Sequence, residues 1–337
     1  MTSDRVLSTG RGDGFSGHSM ARDALYRGRM MARARSRALP RVALVTCRDL
    51  PVGDEDAAAL QSACSAAGLD ADWRVWDDPA VDWNSYDLAV IRSAWDYAAR
   101  RDEFVAWARS VPRLANPADV VGWNTDKTYL RDLAAAGVPV VPTTWLDPGS
   151  PDPFPELRLP ADGEYVVKPA VSAGGRDAGR YAREHAAQAR EHATRLLTAG
   201  QRVMVQPYLV AVDEVGETAL LYCGGRYSHA VRKGPLLTGP DTEVTGLFRP
   251  EAVEPREPSP AELAVGEAAL GAVPGGQQRL LYARVDLLPG PDGAPLLLEL
   301  ELTEPSFFLG ASPGAADRFA AAVATHVAAS PPGPAGR

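Results

Sequence analysis

Between residues 40 and 122, short apolar runs alternate with stretches whose apolar residues recur at helical spacing. Arg41–Thr46 reads as a strand after Pro40, Asp72–Trp76 as a second strand and Leu88–Ile91 as a third. Asp54 caps a helix that ends near Gly68, with Ala58 and Cys64 on its apolar side, and Asp102–Val111 reads as a further helix. Strands and helices alternating at these lengths predict a parallel, doubly wound α/β unit.

The pattern then changes. A helix is predicted over Thr125–Ala136, capped by Asn124 or Thr125 and closed by Gly137, followed by an extended stretch to Leu146. Glu164–Lys168 is a strand that enters the Gly-rich segment Ser172–Gly175, and Tyr181–Ala199 reads as a polar, Ala-rich helix before a strand at Arg202–Gln206. Thr218–Cys223 and Arg226–Val231 flank Gly224-Gly225, a two-residue hairpin signal. Residues 250–260 hold four prolines and read as a surface loop before a helix over Pro260–Ala272. Leu280–Leu288 and Ala294–Leu302 are strands around the turn Pro289–Gly293, and Ser312-Pro313 opens a last helix with Phe319, Val323 and Val327 on one stripe. This half is α+β and largely antiparallel.

Composition narrows the function. The 337 residues carry a net charge of −8, against the basic face of a general nucleic-acid binder, and no apolar run is long enough to span a membrane. The three cysteines are widely spaced, which excludes a disulfide framework and favours a reducing, cytoplasmic setting. The five histidines form no zinc motif. Residues 1–39 are Arg-rich without apolar periodicity and are expected to be disordered, as is the Pro-rich tail 330–337. Of 35 basic residues only three are lysine: Lys127, Lys168 and Lys233. Against that Arg bias, a retained lysine either marks a place that needs a compact ammonium or reflects chance.

Strand alternation in Leu296–Leu302 puts Leu298, Leu300 and Leu302 on one face and Glu299 and Glu301 on the other, about 7 Å apart. Arg284 and Asp286 likewise share a face of the preceding strand. Paired around their turn, the two strands converge three carboxylates and an arginine, either as an Mg2+ site or as a solvated sheet face. The Gly-rich segment is neither a Walker loop nor GxGxxG; its backbone suits phosphate, and a plain surface loop explains it as well.

In order along the chain, Asn124–Lys127, Val167-Lys168-Pro169 with its Gly loop, Val205–Leu209, Gly216-Glu217, Arg284–Asp286 and Leu298–Glu301 with Thr303–Ser306 resemble the ATP-grasp carboxylate–amine ligases, the broad group of glutathione synthetase and RimK-type enzymes. Ile91–Tyr97, Ser228–Lys233 and Glu301–Ser306 are similar to actinobacterial ligases of the D-cycloserine-forming kind. The resemblance implies an ATP-grasp fold behind an N-terminal α/β domain at 40–122, with a small lobe at 123–200 and a large lobe at 201–329.

The resemblance also implies roles. Lys127 and Lys168 would bind phosphates of ATP, beneath Ser172, Gly174 and Gly175. Gln206, Tyr208 and Leu209 would read adenine, and Glu217 or else Glu214 would hold the ribose. Asp286, Glu299 and Glu301 would hold two Mg2+ ions, with Mn2+ as an alternative, although most relatives have Asn where Glu301 stands. Lys233 and Arg284 would neutralise the transferring phosphoryl group, making them the catalytic pair. Because ligands of open α/β sheets bind at strand carboxyl ends, Arg92, Ser93, Trp95 and Asp96 are candidate substrate residues, Arg92 for a carboxylate and Asp96 for an ammonium; the alternative is that Trp95 and Tyr97 merely pack. His229 is a further candidate for substrate contact or for packing.

The implied activity joins a small carboxylate, activated as an acyl phosphate, to an amine within or between molecules, in specialised metabolism. The alternatives are a RimK-type ligase that adds amino acids to peptide or protein ends, and a non-catalytic nucleotide-binding module. Partners would be small-molecule carboxylates and amines, with neither nucleic acid nor membrane, and a homodimer is left open.

Overall fold

The computed structural model describes residues 38–149, 163–237, 239–240, 247 and 252–329. The expected tail and all but the last two residues of the expected leader lie outside them. The apolar run Val42–Val45 is completely buried because β1 (Arg41–Thr46) lies inside a parallel sheet. Its neighbours are β2 (Asp70–Val75) and β3 (Leu88–Ser93), and β4 (Leu114–Ala115) closes the order β2-β1-β3-β4. β3 is buried along its whole length, so a continuous apolar run rather than an alternating one is what this position requires.

A second, five-stranded antiparallel sheet runs β11-β10-β9-β12-β13. Its strands are β9 (Glu217–Cys223), β10 (Arg226–Lys233), β11 (Val253–Arg256), β12 (Tyr282–Pro289) and β13 (Pro295–Glu301). The Gly224-Gly225 turn joins β9 and β10 with both glycines at positive φ, where other residues would be strained. Helices Ala57–Ala66 and Ala315–Ala329 contribute Leu60, Cys64, Phe319 and Val323 to one apolar cluster with Leu44 and Val90 of the first sheet and Ala219 and Leu221 of the second. A third antiparallel sheet, β5-β8-β6-β7, consists of β5 (Thr144–Leu146), β6 (Tyr165–Pro169), β7 (Gly179–Tyr181) and β8 (Val203–Pro207). Helix Ala186–Thr198 covers it through Ala189, Ala193 and Leu196.

Four local readings are corrected. The helix expected over Thr125–Ala136 starts only at Tyr129 and ends at Ala135, and Lys127 sits in the turn between it and a preceding helix, Ala118–Asn124. Gly179–Tyr181 is strand, so the helix expected from Tyr181 starts only at Ala186. The proline-rich loop 250–260 contains β11, an edge strand, where Pro255 costs no interior ladder bond. In β13 the pairing shifts between Asp286 and Leu287, so Leu298 is the extra residue of a bulge. Leu297, not Leu298, is therefore the fully buried leucine. The three cysteines are free, as expected, and all are buried.

Candidate active site

A cavity of about 560 Å3 lies where loops of all three sheets meet. Cations come from four different places. Lys127 comes from the interhelical turn, pinned by its own N–H to the Ala170 carbonyl at 2.9 Å. Lys168 comes from β6, Lys233 from the end of β10 and Arg284 from β12, and all four line the cavity. Gly216 has φ +78°, and a Cβ there would stand 2.6 Å from the Lys233 carbonyl. Only glycine permits this close approach, which sets Glu217 beside Lys233.

The β12–β13 register places Asp286 opposite Glu299 and Arg284 opposite Glu301. Arg284 Nε donates to Asp286 Oδ1 at 2.9 Å, and its Nη2 donates to Glu301. Lys233 Nζ reaches Asp286 Oδ2 at 3.2 Å and Glu217 Oε1 at 2.7 Å. Lys127 Nζ pairs with Glu299 at 3.0 Å and donates to the Ser172 carbonyl at 2.8 Å. Lys168 makes no ion pair among the described residues. Burial pushes its ammonium down to about 8, and nearby Lys127 and Lys233 add to that against the pull of Glu299 and Glu217.

The carboxylates divide by environment. Burial alone would raise Asp286 and Glu299, but Arg284 and Lys233 hold the first below the usual range, and Lys127 and Lys168 do so for the second. Glu301 lies well above the usual range, because burial and its carboxylate neighbours outweigh Arg284. Three hard oxygen donors on one face fit a divalent cation such as Mg2+. Among the described residues no three such groups are already drawn into a cage, since each is held by a cation.

Ser172, Gly174 and Gly175 line the cavity, and both glycines have positive φ. Gln206, Tyr208 and Leu209 line it too; Gln206 Nε2 donates to Thr143 Oγ1 at 2.9 Å, and Tyr208 N–H donates to the Glu164 carbonyl at 2.8 Å. Glu217 is in the cavity, whereas Glu214 is exposed outside it.

Of the residues named for substrate, only Trp95 lines the cavity. Arg92 is fully buried away from it, with its guanidinium over the rings of Phe307 and Phe319 at 4.8 and 5.1 Å. Ser93 Oγ bonds Thr46 Oγ1 at 2.8 Å, and Asp96 accepts from Trp76 Nε1 at 2.9 Å and Arg100 Nη2 at 2.6 Å. His229 bonds Ser228 Oγ and the Phe307 carbonyl at 3.0 Å each.

Arg92, Trp95 and His229 share another task. After β13 the chain runs without sheet partners, and its successive carbonyls are each taken by a side chain from elsewhere. Asn116 donates to Leu302, Tyr282 to Thr303, Trp95 to Glu304, Arg92 to Pro305, Arg284 to Ser306 and His229 to Phe307, at 2.7–3.3 Å. The strap ends at Phe308, in the left-handed region at φ 49°, and Asp56 Oδ1 accepts the next N–H, of Leu309. Glu304, Ser306 and Phe308 line the cavity, whereas Thr303, Pro305 and Phe307 do not. The sequence reading gave Glu304, Ser306 and Phe308 no role. Their signal was period-two alternation continuing past Leu302.

Comparison with known proteins now bears on the site. The "Cycloserine biosynthesis protein DcsG" of Streptomyces lavendulae is 42% identical over 293 residues, spanning 84% of this chain and 97% of that protein. This chain belongs to the ATP-grasp ligase family. Residues 42–116 match the family model "D-cycloserine synthetase DcsG, N-terminal domain". The crystal structure of the D-cycloserine synthetase DcsG is 40% identical and superposes with a TM-score of 0.74, over 85% of this chain and 99% of that one. A RimK domain ATP-grasp protein from Sphaerobacter thermophilus shares the fold at 18% identity, with a TM-score of 0.61 over 85% and 98%. ATP-grasp ligases form carbon–nitrogen bonds with ATP, and the cavity is the place in this ligase where four cations and a Gly-rich loop meet a carboxylate set. Among the described residues no helix is long and apolar enough to cross a membrane.

Proposed function

We propose that this ligase phosphorylates a small, amino-acid-like carboxylate with ATP and then joins the resulting acyl phosphate to an amine-type nitrogen, within or between molecules, in cytoplasmic antibiotic or other natural-product biosynthesis. The single observation that carries the reading is one cavity that holds Lys127, Lys168, Lys233 and Arg284 against Asp286, Glu299 and Glu301 under Ser172–Gly175. The similarity to cycloserine-forming relatives favours ring closure and a small substrate over a peptide end.

In this reading Lys127 and Lys168 hold ATP phosphates, Gln206, Tyr208 and Leu209 meet the adenine, and Glu217 rather than the exposed Glu214 meets the ribose. Asp286, Glu299 and Glu301 would hold two Mg2+ ions, whose role is to draw off charge from the phosphate oxygens. Lys127 and Lys233 are ion-paired with those same carboxylates, so both are poised to exchange a carboxylate partner for a phosphate oxygen. The substrate carboxylate oxygen attacks the γ-phosphorus, the bond to the β-phosphate oxygen breaks, and ADP leaves. Lys233 and Arg284 face that oxygen and neutralise the charge that develops. The nitrogen nucleophile then displaces phosphate from the acyl carbon and loses a proton. The protein's part is to position groups and exclude water; no nucleophilic side chain is needed.

The test is ADP release with Mg2+ and ATP across a panel of amino acids and related carboxylates, with mass spectrometry of the products. Stimulation by a small carboxylate and a product lighter by one water support the reading. ATP binding without stimulation by any of them would make the chain a nucleotide-binding module.

A further inference from the structure

We infer that Glu304 selects substrates that carry a free amine, by receiving the ammonium group of the molecule whose carboxylate is activated. The inference rests on the ligase reading above and deepens it by naming a substrate class and the residue that chooses it.

Glu304 is 8% exposed, yet it lines the cavity. Asp286, Glu299 and Glu301 each have a cation at ion-pair distance, whereas Glu304 has none among the described residues. The hydroxyl of Tyr97 donates to it. A buried carboxylate that faces a cavity without a cation is costly until a ligand brings one.

Its position is fixed. The carbonyls before, at and after Glu304 are bonded to Tyr282, Trp95 and Arg92, so the strap cannot turn this side chain out of the cavity. Glu304 lines the same cavity as Lys127, Lys168, Lys233 and Arg284, and Trp95 and Asp56 line it too. A substrate with a carboxylate at Arg284 and an ammonium at Glu304 is an amino acid, held at both ends. A site built to pair a substrate's cation rejects an analogue that lacks it, because the carboxylate is then left buried alone.

The experiment compares each carboxylate that stimulates ADP release with its N-acetylated counterpart, in the wild-type chain and in Glu304→Gln. In the wild type the free amine is expected to be preferred by about tenfold or more. Glu304→Gln is isosteric and keeps an acceptor for Tyr97. It is expected to raise the KM for the amino substrate about tenfold, leave the KM for ATP unchanged, and erase the preference over the N-acetylated form. A wild type that uses N-acetylated substrates equally well, or a variant that keeps both its KM and its preference, would overturn the inference while leaving the ligase reading intact. Absence of ADP release with every carboxylate in the wild type would overturn the ligase reading and this inference with it.

Discussion

Asp286 and Glu299 stand directly opposite each other on β12 and β13, and each is held by a different lysine, Lys233 at 3.2 Å and Lys127 at 3.0 Å. Like charges in that position repel unless cations sit between them. The pairing explains how a carboxylate set that would serve a metal is kept ionised in the interior before nucleotide and metal arrive.

Removing one of those lysines exposes the arrangement. Lys127→Met leaves Glu299 with only the more distant Lys168, and losing this charge-assisted contact at a partly buried carboxylate costs about 1–3 kcal/mol of stability. The expected outcome is a lower Tm in the free protein and loss of ADP release. Equal Tm values for variant and wild type by calorimetry would count against the pairing.

Lys168 makes nucleotide binding pH-dependent. Its ammonium titrates at about 8 in the free protein, because burial disfavours the charge. Bound phosphates favour the charged form and raise that value, so binding above pH 8 takes up a proton. Affinity for ATP is therefore full below about pH 8 and weakens as pH rises through and beyond it, by up to about tenfold per unit. Isothermal titration at pH 7, 8 and 9 in buffers of different ionisation enthalpy measures both the affinity and the proton uptake. Lys168→Ala should abolish ADP release and flatten this pH profile.

Arg92 separates packing from recognition. Its side chain is fully buried over Phe307 and Phe319 and donates to the Pro305 carbonyl at 3.2 Å. Arg92→Ala should destabilise the fold by about 3–5 kcal/mol, as other large-to-small core changes do. Because the guanidinium lies outside the cavity, any rise in KM for carboxylate should come only together with the lowered Tm, through the loosened strap. A raised KM at unchanged Tm would return Arg92 to substrate binding.

The helix Pro260–Gly271, none of whose residues lines the cavity, offers a control. Ser259 Oγ accepts the Glu262 N–H at 3.2 Å, and Glu262 Oε2 accepts the Ser259 N–H at 2.7 Å, a complete capping box. Ser259→Ala should cost about 1 kcal/mol in chemical denaturation without changing turnover.

What was readable in advance follows from range. Glu299, Glu301, Arg284 and Asp286 were placed together correctly because alternation and a short turn between adjacent strands fix their register locally. The same alternation misplaced Leu298, since a bulge is a property of the strand pair and leaves no mark on one strand. Lys127 was expected inside a helix; the chain instead breaks there because its N–H goes to Ala170, more than forty residues away. Arg92, Trp95 and His229 were all read as candidates for substrate. The strap carbonyls that take Arg92 and Trp95 lie more than 200 residues further on, and no local pattern announces such partners.

The central claim is phosphorylation of a carboxylate at this cavity, and oxygen transfer tests it most directly. A stimulating substrate labelled with 18O in both carboxylate oxygens is incubated with Mg2+ and ATP, and the released phosphate is weighed by mass spectrometry. An acyl phosphate that yields to nitrogen leaves one 18O in each phosphate, one for each ADP formed. Phosphate without label, or AMP in place of ADP, would contradict the account.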